Sequence, residues 1–369
     1  MQRTKTVLRR ESRLLFLGLS LASIVSGCVL AGLGAAGGGG ASSEAVLLFG
    51  VGMHIEPMGA QVSSIALEAG ARQSVVDPRR PDYREPQYFA QHARNLLLLA
   101  DVLERHGGRM TIQAQSPFTV VASETANPIL ADLEARGHEI SLHFHEDAHL
   151  GSACEELPVP VWSAVMDEEV GFIRDAGVRG PLRYWSGGNL FPGVLEAAGA
   201  VGLRVNSDWK SPKTQATPKE LLGVHPWRPA GGTDGVNVTL FATHDPSGEI
   251  VFLPNGAVDS DEWAHKQEII ASGGEAAWLE VLKKGLLDSL AHATPGRVNA
   301  YHLTLHPDEF AHDPAGSYAL IERFLAEVVD PLVASGKVKW ATHSQVADAY
   351  LAWEAAHPGD DPRSGEGGT

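Results

Sequence analysis

The stretch GHEISLHFHEDAHLG, residues 137–151, packs four histidines and three carboxylates into fifteen positions. Read as a strand, Glu139–Phe144 sends Ile140, Leu142 and Phe144 to one face and Ser141, His143 and His145 to the other. His143 then sits at the strand's exit, with Asp147 and His149 on the loop beyond it, while His138 belongs to the turn leading in. The helix upstream has clear punctuation: Asn127 as cap, Pro128 in the first turn and Gly137 as the closing residue. A helix running straight into a short strand predicts one unit of a parallel sheet.

The same alternation extends in both directions. Further strands are expected at Val46–Val51, Met110–Ala114, Leu182–Trp185, Leu203–Val205, Val298–Leu305 and Val338–Trp340. Helical spacing appears around Phe89, Leu96, Leu99 and Leu103 and recurs over Trp162–Ala176, Phe191–Ala200, Glu275–Leu290, Ser317–Leu332 and Ser344–Glu354. Residues 206–273 break the pattern with turn-forming Asp-Gly and Pro-Ser-Gly between short apolar runs, and read as a β-rich insertion. Seven strand-helix units predict an incomplete, distorted (β/α)7 barrel, with an open doubly wound sheet as the competing architecture. Either one collects reactive groups at the C-terminal ends of its strands.

That rule selects the candidate site. GVGMHIEPMG (50–59) ends the first strand and places His54 and Glu56 on one face at its exit. NAYHLTLHPDEF (299–310) puts His302, Thr304 and His306 on one face of the sixth strand, with His302 deeper as an interior hydrogen-bonded histidine and His306 at the exit, suited to proton transfer. Arg183, entering the glycine-rich LRYWSGGN (182–189), suits a carboxylate or an active-site base.

The ends of the chain concern location. Arg3, Lys5, Arg9, Arg10 and Arg13 precede the apolar run LLFLGLSLASIV (14–25), which is short for a bilayer span. Val25-Ser26-Gly27-Cys28 follows and looks like a lipobox, in which the cysteine is acylated. The expected organisation is a signal peptide over 1–27, a lipidated Cys28 with a Gly-rich tether over 28–44, the barrel over 45–355 and a structureless tail over 356–369. Cys154 is the one other cysteine, so any metal must be held by His, Asp and Glu. The formal charge of -16 disfavours nucleic acid and suits a neutral or cationic substrate.

The order of RMTIQA, ARGHEISLH, LRYWSGGNLFPGVLEAAGAVGLRVNSDW, IVFLPNG and HLTLHPDEF resembles the NodB-homology polysaccharide deacetylases, carbohydrate esterase family 4, over about residues 45–355. The resemblance implies a distorted (β/α)7 barrel and a divalent metal, often zinc, held by one Asp and two His. It places Glu56 at the Asp ligand position and His143 at the first His position. The second family histidine falls on Asp147, so the third ligand lies among His145, Asp147 and His149, with His149 preferred to Asp147. His54 stands where the family has its Asp base, as base or as an extra ligand. His306 matches the catalytic acid, and Arg183 the arginine that orients the base. The implied activity is removal of N-acetyl or O-acetyl groups from an envelope or extracellular polysaccharide, on a protein lipid-anchored outside the cytoplasm. The altered base and third ligand motivate the alternative of a metal- or carbohydrate-binding lipoprotein without turnover.

Overall fold

The computed structural model describes residues 44–73, 81–187, 190–211, 216–235, 237–257, 266–307 and 314–364. The signal segment, Cys28 and the tether up to residue 43 lie outside them. Eight strands form one parallel sheet: β1 Leu47–His54, β2 Met110–Ala114, β3 Glu139–Phe144, β4 Tyr184–Gly187, β5 Val205–Ser207, β6 Val251–Leu253, β7 Asn299–Leu305 and β8 Val338–Trp340. Seven of them follow the order β6-β5-β4-β3-β2-β1-β7. β8 shares an edge of β1 with β2, pairing Leu47–Phe49 while β2 takes Val51–His54.

The order curls into a nearly closed barrel. The gap between β6 and β7 is spanned by the segment around Val224: the Ala300 N–H donates to the Val224 carbonyl at 2.7 Å, and Trp227 exchanges two backbone hydrogen bonds with Phe252. The segment expected as a β-rich insertion thus supplies a barrel strand, β6, and the closing seam. Its short apolar run IVFL is buried by pairing with β5 rather than by folding on itself.

Side-chain alternation builds two unlike layers. Phe49, Val51 and Met53, with Ile112, Ile140, Leu142, Phe144, Leu303 and Leu305, join the main apolar core, which also takes in Leu96, Leu99 and Leu103 of the helix Pro86–Arg105 and Trp162 of the helix Val159–Asp175. The opposite face carries Gln113, Ser141, His143, Ser186, Ser207 and His302, all buried. Glycine in β1 makes room among them, since a Cβ on Gly52 would stand 2.8 Å from the Gln113 side-chain nitrogen and 3.3 Å from the His343 ring. The lower end is stoppered by the helix His343–Ala356. Its first backbone N–H groups donate to Thr111 Oγ1 and Glu139 Oε2 at the N-terminal ends of β2 and β3, and Val346, Ala347 and Tyr350 pack against Tyr184, Val205, Val251 and Leu253.

The tail expected to lack structure is held as far as Ser364. Arg363 stacks its guanidinium 4.2 Å from the centre of the Trp227 ring and donates to the Ala242 and Glu220 carbonyls. The sequence there has no apolar residues to bury, so its anchoring comes from a cation on an aromatic face and from backbone acceptors.

Candidate active site

β1 runs three residues beyond its expected end, so His54 is its last residue and Glu56 follows at the upper rim. β3 ends at Phe144 as expected, which brings His143 and His145 to the same rim, and β7 ends just before His306. These five side chains meet. Glu56 is the hub: its carboxylate lies 3.0 Å from His145 Nε2, 3.3 Å from His306 Nε2 and 3.7 Å from His143 Nε2. The His54 and His143 rings stack at 4.1 Å, and His306 meets His54 edge-on at 5.4 Å. The group opens into a cavity of about 670 Å³ whose wall also includes Glu146, Asp147, Glu155 and Lys210.

The electrostatics follow from this packing. Burial pushes the Glu56 carboxyl upward, yet His145, His143 and His306 together outweigh it and hold it well below the usual range. Burial pulls His145 down, but Glu56 and Asp147 raise it well above its ordinary value. Burial, with His54 stacked on its ring, keeps His143 far below its ordinary value and neutral. One His143 nitrogen, Nδ1, is 2.6 Å from Ser186 Oγ. The other, Nε2, is buried without a hydrogen-bond partner and faces Glu56.

Beneath this rim lies a residue that the sequence reading passed over. Asp208, one residue beyond β5 and with φ of 63°, occupies a left-handed conformation that Asp tolerates better than most side chains. Its Oδ2 accepts from Ser207 Oγ at 2.5 Å and Tyr184 Oη at 3.1 Å and lies 3.3 Å from His54 Nε2. Its Oδ1 accepts from Asn255 Nδ2 and Thr304 Oγ1, each at 3.0 Å, and lies 3.0 Å from His302 Nε2. Burial pushes the Asp208 carboxyl up, but His302 and His54 reverse this and keep it ionised. Because Asp208 engages His54 Nε2, the nitrogen left for chemistry at the rim is Nδ1. A carboxylate just past a strand exit was the available signal. Its position within the expected insertion, residues 206–273, hides it.

Three expectations need correction. His149 is turned away from the rim: its Nε2 is 2.7 Å from Gln115 Oε1 and its Nδ1 3.2 Å from Glu169 Oε1, a partnership sealed by Phe144 stacking on the ring. The short helix Glu146–His149 that follows β3 rotates position 149 inward, so loop proximity alone did not predict its direction. Asp147 is largely exposed and approaches the group at His145, at 3.6 Å. Arg183 precedes β4 at the opposite end of the barrel, where it pairs with Asp348 at 2.6 Å. β4 starts two residues later than expected, at Tyr184, so Arg183 lies just outside its N-terminal end and not at the rim to which the resemblance assigns it. His302 is the buried, hydrogen-bonded histidine expected of it.

The donor atoms of His54, Glu56 and His143 all lie within 4.8 Å of one another. Two imidazoles and a carboxylate, with an orphaned buried nitrogen on His143, suit a divalent cation such as zinc. Asp208, His302 and His343 form a second group of the same compactness.

No family model matches the chain, and no curated protein does. Its fold is shared with solved structures at low identity. A protein assigned as a polysaccharide deacetylase from Mycobacterium smegmatis aligns with a TM-score of 0.53 at 15% identity, over 85% of this chain and 93% of that one. The Puue allantoinase aligns with a TM-score of 0.52 at 14% identity, over 86% and 93%. A protein assigned as a glycoside hydrolase/deacetylase from Parabacteroides distasonis aligns with a TM-score of 0.54 at 12% identity, over 87% and 74%. The (β/α)7 barrel is therefore common to all of them.

Proposed function

We propose that this chain is a metal-dependent hydrolase that removes acetyl groups from an N-acetylated or O-acetylated polysaccharide of the cell envelope. The observation that carries the reading is Glu56 ringed by His143, His145 and His306 at the exits of β1, β3 and β7, with His143 Nε2 buried and unpartnered. The deacetylase names among its structural neighbours support the same class of chemistry.

Glu56 and His143 would hold the metal, with His54 or His145 as the third donor; zinc fits this mixed set. A divalent cation bound there supplies Lewis acidity to the acetyl carbonyl and to the attacking water. With His145 as the third donor, His54, oriented by Asp208 through Nε2, has Nδ1 free to act as the base. His306, across the His54 ring, donates a proton to the departing amine or alcohol. The cavity wall is rich in carboxylates, which favours a neutral or cationic glycan over an anionic one. The leader and Cys28 would tether the domain to a membrane outside the cytoplasm, where such glycans are met; among the described residues no helix is long and apolar enough to cross a membrane.

The test is metal content and acetate release from N-acetylated glycans for the full-length protein and for His143→Ala and His306→Ala. The expected result is bound metal and acetate in the parent, metal lost in His143→Ala, and metal kept with acetate release cut about 10²-fold or more in His306→Ala. Bound metal with no acetate from any glycan sinks the hydrolase reading.

A further inference from the structure

We propose that Asp208, His302 and His343 form a second, buried divalent-cation site inside the barrel, beneath the pocket group of His54, Glu56 and His143. It goes beyond the proposed hydrolase activity and does not depend on it.

Three observations carry it. The first is His343, the opening residue of the helix that stoppers the barrel. Its ring is 2% exposed, and neither Nδ1 nor Nε2 has a hydrogen-bond partner. A neutral imidazole has one N–H to give and one lone pair to offer, and leaving either unmet in the interior costs about 1–3 kcal/mol. The ring is not loosely placed. It stacks on Tyr184 at 4.7 Å and meets His302 edge-on at 4.6 Å, so the packing presents two bare nitrogens in a fixed direction.

The second is a void. A cavity of about 10 Å³ borders His343 and His302, and its remaining wall includes Gly50, Ala300, Ala341 and Val346. That is room for one water-sized occupant. Asp208 is not part of that wall, so the void is slack beside the two rings and not the seat of the cation itself.

The third is the donor geometry. One atom from each of Asp208, His302 and His343 falls within 4.8 Å of the others. Asp208 Oδ1 and His302 Nε2 are 3.0 Å apart, and would open to about 3.4 Å as two tetrahedral ligands each about 2.1 Å from one zinc ion. His343 brings the third donor, within 4.8 Å of the other two. Thr304 Oγ1, 3.0 Å from the same Asp208 oxygen, stands ready as a neutral oxygen at the open position. The Asp208 carboxylate is oversupplied with donors, six groups on two oxygens, so giving up the contact with the His302 N–H leaves it satisfied. The interior carboxylate would then face a cation in addition to its hydrogen-bond donors.

The two groups touch through the 3.3 Å approach of His54 to Asp208. A lower cation would fix the Asp208 carboxylate and, through it, the His54 ring. The barrel's polar interior would then be a support for the rim rather than a set of isolated buried dipoles.

The test counts metal. The full-length protein purified from zinc-supplemented cells should carry about two equivalents of zinc by mass spectrometry, and His343→Phe, which keeps the ring against Tyr184, about one. Glu56→Gln should lose the other equivalent and keep the buried one. Should His343→Phe not fold, cobalt(II) titration of the native protein replaces it: d–d absorption should develop in two steps, with the buried equivalent released far more slowly to a chelator. Saturation at one equivalent, no metal at all, or two equivalents retained in His343→Phe each overturn the proposal, the void then holding only water. A second equivalent without acetate release leaves this site standing and removes the hydrolase reading; acetate release with a single equivalent does the reverse.

Discussion

Two buried histidine-carboxylate groups flank the same strand end, and they differ in what they leave unfinished. Around His149, the carboxylate of Glu169 is 3.2 Å from the ring and also accepts from the Ser116 backbone N–H at 2.7 Å and the Ser116 hydroxyl at 2.6 Å, while Gln115 takes the second ring nitrogen. That set is closed. Around Glu56, three imidazoles crowd one carboxylate, His143 Nε2 has no partner, and the group opens into the pocket. Satisfied polar groups rigidify a core, whereas unsatisfied donors at a cavity wall are available to a ligand.

The largest effects should separate the two groups. Glu56→Gln keeps the shape and removes the charge. Acetate release should fall about 10²–10³-fold, and the midpoint of thermal unfolding should fall with it, because His145 loses the carboxylate that holds its charge. His149→Phe should separate the two effects: stability falls by about 3 kcal/mol as Glu169 loses a buried partner, while acetate release per folded chain stays near the parent's. Thermal melts paired with acetate assays check both at once. Loss of acetate release in a well-folded His149→Phe would return His149 to the site.

A third buried histidine sharpens the contrast. His92 sits 2.8 Å from the Tyr83 hydroxyl, and burial pulls it down to about 4. His145, against Glu56, moves the other way. For His92 the folded value lies below the unfolded value of about 6.5. Between these two the unfolded chain binds the extra proton, so stability rises with pH through that window and is lost as pH falls from about 6.5 towards 4. At about 1.4 kcal/mol per unit, His92 alone accounts for about 3 kcal/mol. His92→Gln should flatten the loss of stability between pH 6.5 and 4, measured by denaturant titration at each pH. An unchanged slope would show that the ring is already solvated in the folded protein.

Much of this was legible in the sequence. β2, β3 and β8 fall where period-two alternation and bounding glycines put them, and His143, His54, Glu56 and His306 lie at strand exits as the barrel rule requires. What failed was direction and depth. A histidine in a loop can turn in or out with equal ease in sequence terms, and the single helical turn Glu146–His149 decided between His145 and His149. β6 has three residues and no alternation to detect, so its place in the barrel depends on tertiary pairing with β5. Asp208 was lost with it, being a lone carboxylate whose importance comes from six partners distributed over 250 residues of chain separation or less.

The smallest effect concerns Arg183, and it tests the comparison at its weakest point. By resemblance this arginine orients a base at the rim; in the structure it lies before β4, half-exposed, 2.6 Å from Asp348 on the stoppering helix. The Asp348 side chain is 56% exposed, so solvent screens the pair, and such surface pairs contribute about 0.2–1 kcal/mol. Arg183→Ala should therefore lower stability by less than about 1 kcal/mol and leave kcat for acetate release unchanged. In the proposed mechanism the orienting work falls to Asp208, whose carboxylate lies 3.3 Å from His54 Nε2. A large drop in kcat for Arg183→Ala, with metal content intact, would mean that the rim depends on the lower end of the barrel through β4 itself. The path would run from Arg183 through Tyr184 to the Asp208 carboxylate that Tyr184 Oη contacts at 3.1 Å.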